Sequence, residues 1–168
     1  APGDLALRHD LQLLSDNGVL TTPITTWPLS WASIARAVEN PPRDLPLTVV
    51  EQAALQRVRT RARRAMSGEP GLTLRAAVQE RPRVVRSFEY TPREDAELQA
   101  GWAWTGNRFA ASLQATVVAD PDDGETLRLD GSYVGAAIGN WMLSVGQMDR
   151  WWGPGWNGSL ILGSNARP

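Results

Sequence analysis

Two glycine–asparagine pairs, Gly106-Asn107 and Gly139-Asn140, each lie between stretches of alternating side chains, and they restrict the fold more than any other feature. Gly-Asn suits a two-residue type II′ hairpin turn, and a two-residue loop fixes the register of the strands it joins. With Gly106-Asn107 as the turn, Trp104 opposes Phe109, Trp102 opposes Ala111, Ala100 opposes Leu113, Leu98 opposes Ala115 and Ala96 opposes Val117. That face is apolar throughout. The other face sets Glu97, Gln99, Gly101, Ala103 and Thr105 against Arg108, Ala110, Ser112, Gln114 and Thr116, all small or polar. Around Gly139-Asn140, Ile138 opposes Trp141, Ala136 opposes Leu143 and Val134 opposes Val145. Tyr133, Gly135, Ala137, Met142, Ser144 and Gly146 lie behind them.

Two environments give such a division: a sheet packed on a soluble core, or a barrel with lipid outside and a polar interior. Alternation alone fits both. Three features point to lipid. The runs approach the roughly 9–11 residues of a tilted membrane strand. Trp104 and Trp141 stand at strand ends, where an interfacial aromatic girdle falls. The small residues of the second face leave room for a plug or inward loops. Further period-two runs cover Leu72 to Gln79 and Val84 to Tyr90. About six strands follow Gly71, fewer than the roughly 8 that close a bacterial barrel, so the expectation is the N-terminal part of a longer protein. Gly131 to Met148 is uncharged over the length of a spanning helix, but its internal glycines exclude that reading.

Before residue 67 the period is helical. Leu7, Leu11 and Leu14 share a face, with Gly18 placed to cap its C-terminal end. Ser30 caps a second helix carrying Trp31, Ile34 and Val38, which Pro41 and Pro42 end. Thr48 and Glu51 have capping-box spacing for a third, with a stripe of Leu55, Val58, Ala62 and Ala65. The residues alone give an α+β fold: a small helical bundle over residues 1–67, then antiparallel strands over residues 68–168 that form either a sheet on a soluble core or the lipid-facing wall of a partial barrel.

Composition narrows the chemistry. The chain has no Cys and one His, His9, which excludes thiolate zinc and cysteine nucleophiles and disfavours Ser-His-Asp catalysis away from residue 9. A net charge of −1 gives no electrostatic footprint for nucleic acid. No cofactor or metal site is expected. Arg57, Arg59, Arg61, Arg63 and Arg64 gather on the third helix, either a solvated face or a surface for lipid phosphate or acidic sugar. Asp120, Asp122 and Asp123 read as a solvated turn, since their spacing is not that of a helix-loop-helix calcium site.

Eight Trp stand against two Phe and two Tyr, and three of them fall between Asp149 and Ser159. Aromatic faces stack on sugar C–H groups, while carboxylate, guanidinium and amide groups pair with hydroxyls. Asp149, Arg150, Trp151, Trp152, Trp156 and Asn157 are therefore the candidate polysaccharide-binding residues. The Gly and Pro punctuation of this loop favours the alternative: a loop folded inward as a plug, its tryptophans buried and Asp149 paired to an arginine.

The run GNWMLSVGQMDRWWGPGWNGSLILGSNARP from Gly139 resembles the signature region of the Wzi family of capsule-assembly proteins. DLALRHDLQLLSDNGVL from Asp4, TTWPLSWASI from Thr25, TPRED from Thr91 and ADPDDG from Ala119 are similar to that family as well. The resemblance implies an outer-membrane barrel with its helical bundle in the periplasm. It also implies a non-enzymatic, lectin-like protein that binds capsular or exopolysaccharide and helps attach it to the cell surface. Its partners would be that polymer and outer-membrane lipid. Two other classes remain open: a hydrolase using carboxylates such as Asp149, Asp120 or Asp123, and a soluble β-rich carbohydrate-binding module. Strand direction conflicts with the resemblance. If the two Gly-Asn turns are periplasmic, counting back through both earlier runs puts the bundle outside.

Overall fold

A computed structural model of the chain describes residues 2–167 except Arg43, 81–84, Asp122, Asn140, 160–161 and Ala166. Val84, Asp122 and Asn140, which entered the expectations above, lie outside the described residues. The order is α1 (Leu5–Asp16), β1 (Thr26–Trp27), α2 (Trp31–Glu39), α3 (Val49–Met66), β2 (Gly71–Val78), β3 (Ala96–Thr105), β4 (Phe109–Ala119), β5 (Leu127–Arg128), β6 (Tyr133–Ile138), β7 (Trp141–Gly146) and β8 (Trp151–Trp152).

The helices begin where their capping residues sit. The Leu7 amide donates to the Asp4 carboxylate at 2.8 Å, and the Ser33 amide donates to the Ser30 hydroxyl at 3.3 Å. At α3, Thr48 N–H donates to Glu51 Oε2 at 2.7 Å while Glu51 N–H donates back to the Thr48 hydroxyl, satisfying two of the donors a helix start leaves open. Gly18 takes a left-handed conformation, and the Val19 and Leu20 amides both close on the Leu14 carbonyl. Leu7, Leu11, Leu14, Ile34, Val38, Leu55, Val58 and Ala62 then meet in one core. Ala65 is only half-buried.

The arginines of α3 are turned on the bundle itself. Arg57 pairs with the buried Asp10 in two parallel hydrogen bonds of 2.9 and 2.7 Å. Arg63 pairs with Glu39, Arg61 with Asp4, and Arg59 donates to the Val38 carbonyl at 2.6 Å. Four of the five thus fasten α3 to α1 and α2, because their spacing sends successive side chains toward two different neighbours.

The main sheet runs β2-β3-β4-β6-β7, antiparallel throughout, with β5 paired to β4 beyond the end of β6. The hairpin at Gly139 has the expected register, with Ile138 opposite Trp141 and Val134 opposite Val145. The hairpin at Gly106 does not. Trp104 opposes Ala111 and Trp102 opposes Leu113, a slip of two residues that keeps every side chain on its face. The turn sits one position later, because the Gly106 amide donates to the Phe109 carbonyl at 2.8 Å. Gly106 has no positive φ. A Cβ there would stand 2.9 Å from the Trp104 ring, which folds over this residue. The glycine serves as a seat for an indole.

The expected strand at 84–90 is absent over its described part. Residues 85–90 instead cross to the bundle, where Phe88 stacks edge-on against Trp27 at 4.9 Å and Trp151 at 5.5 Å. An aromatic anchor in a separate core outcompetes strand pairing here. With that strand removed, the direction conflict disappears. Gly71, four residues after the α3 cap at Ser67, pairs with Ala103, and the Trp104 indole N–H donates to the Gly68 carbonyl at 3.0 Å. The helical segment therefore enters the sheet at the end holding both short turns, while the long connections lie at the other end.

The sheet is apolar on the side that no described residue covers. Leu74 is 78% exposed, Leu113 59%, Leu143 57% and Val145 83%. On the opposite side Glu97, Gln99, Thr116 and Arg128 are each at most 8% exposed. Burial in water selects the reverse arrangement.

Candidate functional site

The inner face carries a ladder that the register creates. Arg75 pairs across to Gln99, Gln99 to Thr116 and Thr116 to Arg128, so four strands present polar side chains at one level. Gln99 Nε2 donates to the Thr116 hydroxyl at 3.1 Å. Tyr90, from the β2–β3 connection, lies with its ring 3.9 Å under the Arg75 guanidinium and donates its hydroxyl to Glu97 at 2.6 Å. Burial and this hydrogen bond push the phenol up to about 12, so it remains a donor at any physiological pH.

Above this ladder lies a small open cleft of about 40 Å³. Its walls include Tyr90, Arg93, Glu94, Glu97, Gln114, Arg128, Asp130, Asp149 and Arg167. The charges are mutually engaged. Arg128 binds Asp123 and donates to Glu125 at 3.1 Å, and Arg167 bridges Asp130 at 2.9 Å and Glu94. Arg93 donates to the Ser164 carbonyl at 3.0 Å and stands 3.9 Å from Asp149. Burial pushes the Asp149 carboxyl up, with Arg93 pulling against it.

The six candidate residues of the Asp149–Ser159 loop are not brought together. Asp149 lines the cleft. Trp151 is fully buried against Phe88 in the bundle core and offers no surface to a ligand. Trp156 is half-buried with its ring 4.8 Å from the Arg8 guanidinium. Arg150, Trp152 and Asn157 are exposed. Arg8 organises this division. It is 3% exposed, sits 4.2 Å over Phe88, and donates to the carbonyls of Pro154 at 3.0 Å and Gly155 at 2.8 Å. The β1–β8 ribbon, Trp27 opposite Trp151, completes the seam.

Sequence reasoning missed Tyr90, Arg93, Glu94, Arg128, Asp130 and Arg167 as cleft residues. Glu97, Gln99, Gln114 and Thr116 were identifiable as inner-face positions, but nothing local shows which long connections fold over them. Asp120 is exposed and Asp123 is held by Arg128, so of the three carboxylates weighed for hydrolysis only Asp149 lines the cleft. Among the described residues no cluster of three metal-ligating side chains occurs, and no helix is long and apolar enough to cross a membrane.

The family described as Capsule assembly protein Wzi matches residues 64–168. An uncharacterized 55.8 kDa protein in the cps region of Klebsiella pneumoniae is 33% identical over 167 residues, covering 98% of this chain and 32% of that protein. Among solved structures, Wzi of Escherichia coli, an outer membrane protein involved in group 1 capsule assembly and described as a carbohydrate-binding β-barrel, matches with a TM-score of 0.78 and 33% identity. The match covers all of this chain and 37% of that one. The chain spans about a third of the length of these relatives.

Proposed function

This chain belongs to the Wzi family of capsule assembly proteins, and we propose that it forms part of the wall and the interior plug of an outer-membrane barrel that binds capsular or exopolysaccharide and helps hold it at the cell surface. The observation that carries this reading is the inverted sheet, with exposed leucine and valine on one side and a buried ladder of Arg, Gln, Glu and Thr facing a cleft on the other. Lipid as the outer solvent explains both faces at once.

Short turns are periplasmic in such barrels and long loops extracellular. The end where α3 joins β2, shared with both short turns, is accordingly the periplasmic one. The long connections at the other end carry Phe88 and Trp151 inward to the bundle core and leave Asp149 in the cleft. Of the candidate loop, Asp149 reads the polymer from inside, Arg150, Trp152 and Asn157 form its outer rim, and Trp151 and Trp156 hold the loop in place.

The test uses the full-length protein in detergent. Immobilised on beads, it retains purified capsular polysaccharide of its host, and the eluted polymer keeps its length with no new reducing ends. Absence of retention by correctly folded protein would reject the binding role. New reducing ends would move the protein to the hydrolases.

A further inference from the structure

The β1–β8 ribbon buries one face and leaves the other open. Trp27 and Trp151 turn into the bundle core, so strand alternation turns their neighbours out. Thr26 and Trp152 lie opposite each other on the free side, and Arg150, on the other flank of Trp151, is exposed as well. The Trp152 backbone is held while its ring stays open. Its N–H donates to the Leu162 carbonyl at 2.9 Å, its carbonyl accepts from the Ser159 hydroxyl, and the residue is 42% exposed. A fixed, open indole is an apolar plate with a donor at its edge, suited to the C–H face of a sugar ring.

Arg150 adds a charge that no carboxylate among the described residues answers. Its guanidinium reaches only the Ser144 hydroxyl, at 3.5 Å, whereas Arg93, Arg128 and Arg167 each stand beside a carboxylate. Asp149, the preceding residue, faces Arg93 at 3.9 Å. Two residues of extended backbone separate Arg150 from Trp152 by about 7 Å, a gap that one sugar ring with its exocyclic group can bridge. An inorganic anion would use the guanidinium and not the plate; a neutral sugar would use the plate and leave the charge unmet. A uronate uses both, because its planar carboxylate matches two guanidinium N–H groups. We propose that Trp152 and Arg150 form a subsite for a uronate residue, the ring stacked on the indole and the carboxylate paired with the guanidinium. The inference rests on the polysaccharide-binding reading above and names the sugar class that this part of the loop selects.

Titration calorimetry on the full-length protein in detergent tests it with uronate hexasaccharides of gluco, galacto and manno configuration, each beside its neutral counterpart. At least one uronate binds about tenfold tighter than its counterpart at low salt, the scale of one charged hydrogen-bonded pair, and the gap narrows as salt rises. Arg150→Gln keeps the length of the side chain and removes the charge. It abolishes the preference while leaving the neutral probe within about twofold, a split that a merely structural role would not produce. Trp152→Ala weakens both members of the pair by a similar factor, and Trp152→Phe, which keeps an aromatic plate in the ribbon, restores part of the loss. Neutral probes as tight as every uronate, an unchanged preference in Arg150→Gln, or unchanged affinities in Trp152→Ala overturn the inference. Retention of host polymer with none of the probes bound also overturns it while leaving the binding role intact. Retention of nothing removes the reading beneath it.

Discussion

Arg8 shows how one side chain fastens a loop to a helix far away in sequence. Its guanidinium reaches the Gly153, Pro154 and Gly155 carbonyls and lies over Phe88 and Trp156. Arg8→Met keeps the apolar stem and leaves the Gly153 and Pro154 carbonyls without that donor, the Gly155 carbonyl keeping only the Trp151 indole N–H. The expected cost is roughly 2–4 kcal/mol, from charged hydrogen bonds and cation–π contacts, read by denaturant unfolding of the full-length protein through tryptophan fluorescence. An unfolding curve like that of the unsubstituted protein would dissolve the seam as a stabilising device. Asp123 gives a second test. Its hydrogen bond from Arg128 holds its carboxyl at about 2, against 3.8 for a free aspartate. A depressed carboxyl stabilises the fold above its unfolded value and loses that contribution as the pH falls toward its folded one. Asp123→Asn therefore flattens the acid loss of stability between about pH 4 and 2, measured by thermal unfolding across that range. Superimposable pH profiles would show that the pair contributes nothing.

Elements were legible where a local rule decides them. Ser30 and the Thr48–Glu51 box start their helices because a helix start needs acceptors for its free amides wherever it sits, and Asp4, absent from the sequence expectations as a cap, starts the first by the same rule. Period-two alternation gave the faces of β3, β4, β6 and β7, and even the slipped register at Gly106 preserves them. What escaped depends on distant contacts: the Gly68 carbonyl, which accepts the hydrogen bond of the Trp104 indole whose ring lies over Gly106, and Phe88 drawn between Trp27 and Trp151, which turns a strand-like run into an anchor. For the same reason Asp149 alone of the six loop candidates lines the cleft, since the long connections that supply Arg93, Asp130 and Arg167 have no period to read. The faces make a direct prediction. Leu143→Arg puts a charge on the outer, lipid-facing side of β7, where arginine costs up to about 2–4 kcal/mol at the membrane midplane and less toward the interface, whereas Ser144→Arg points inward. The first variant is expected to lose folded, heat-modifiable barrel on unboiled gels and the second to keep it. Equal behaviour would mean that the two faces share one environment.

At the scale of the whole molecule, helices, inward connections and sheet form one arrangement. The bundle core includes Phe88 and Trp151 from the long connections, and the cleft lies between those connections and the inner ladder. Under the proposed function, a polymer bound there would touch the loops and the barrel wall together.

The inverted sheet carries the whole account. Because these 168 residues contain no cysteine, single cysteines can be introduced and spin-labelled along β6 and β7 at Val134, Gly135, Leu143, Ser144 and Val145. In the full-length protein reconstituted into lipid vesicles, labels at 134, 143 and 145 should collide freely with dissolved oxygen and little with a polar nickel chelate. Those at 135 and 144 should show low oxygen collision and distinct, immobilised spectra. No alternation along the strand, or nickel access equal at every position, would contradict a lipid-facing wall.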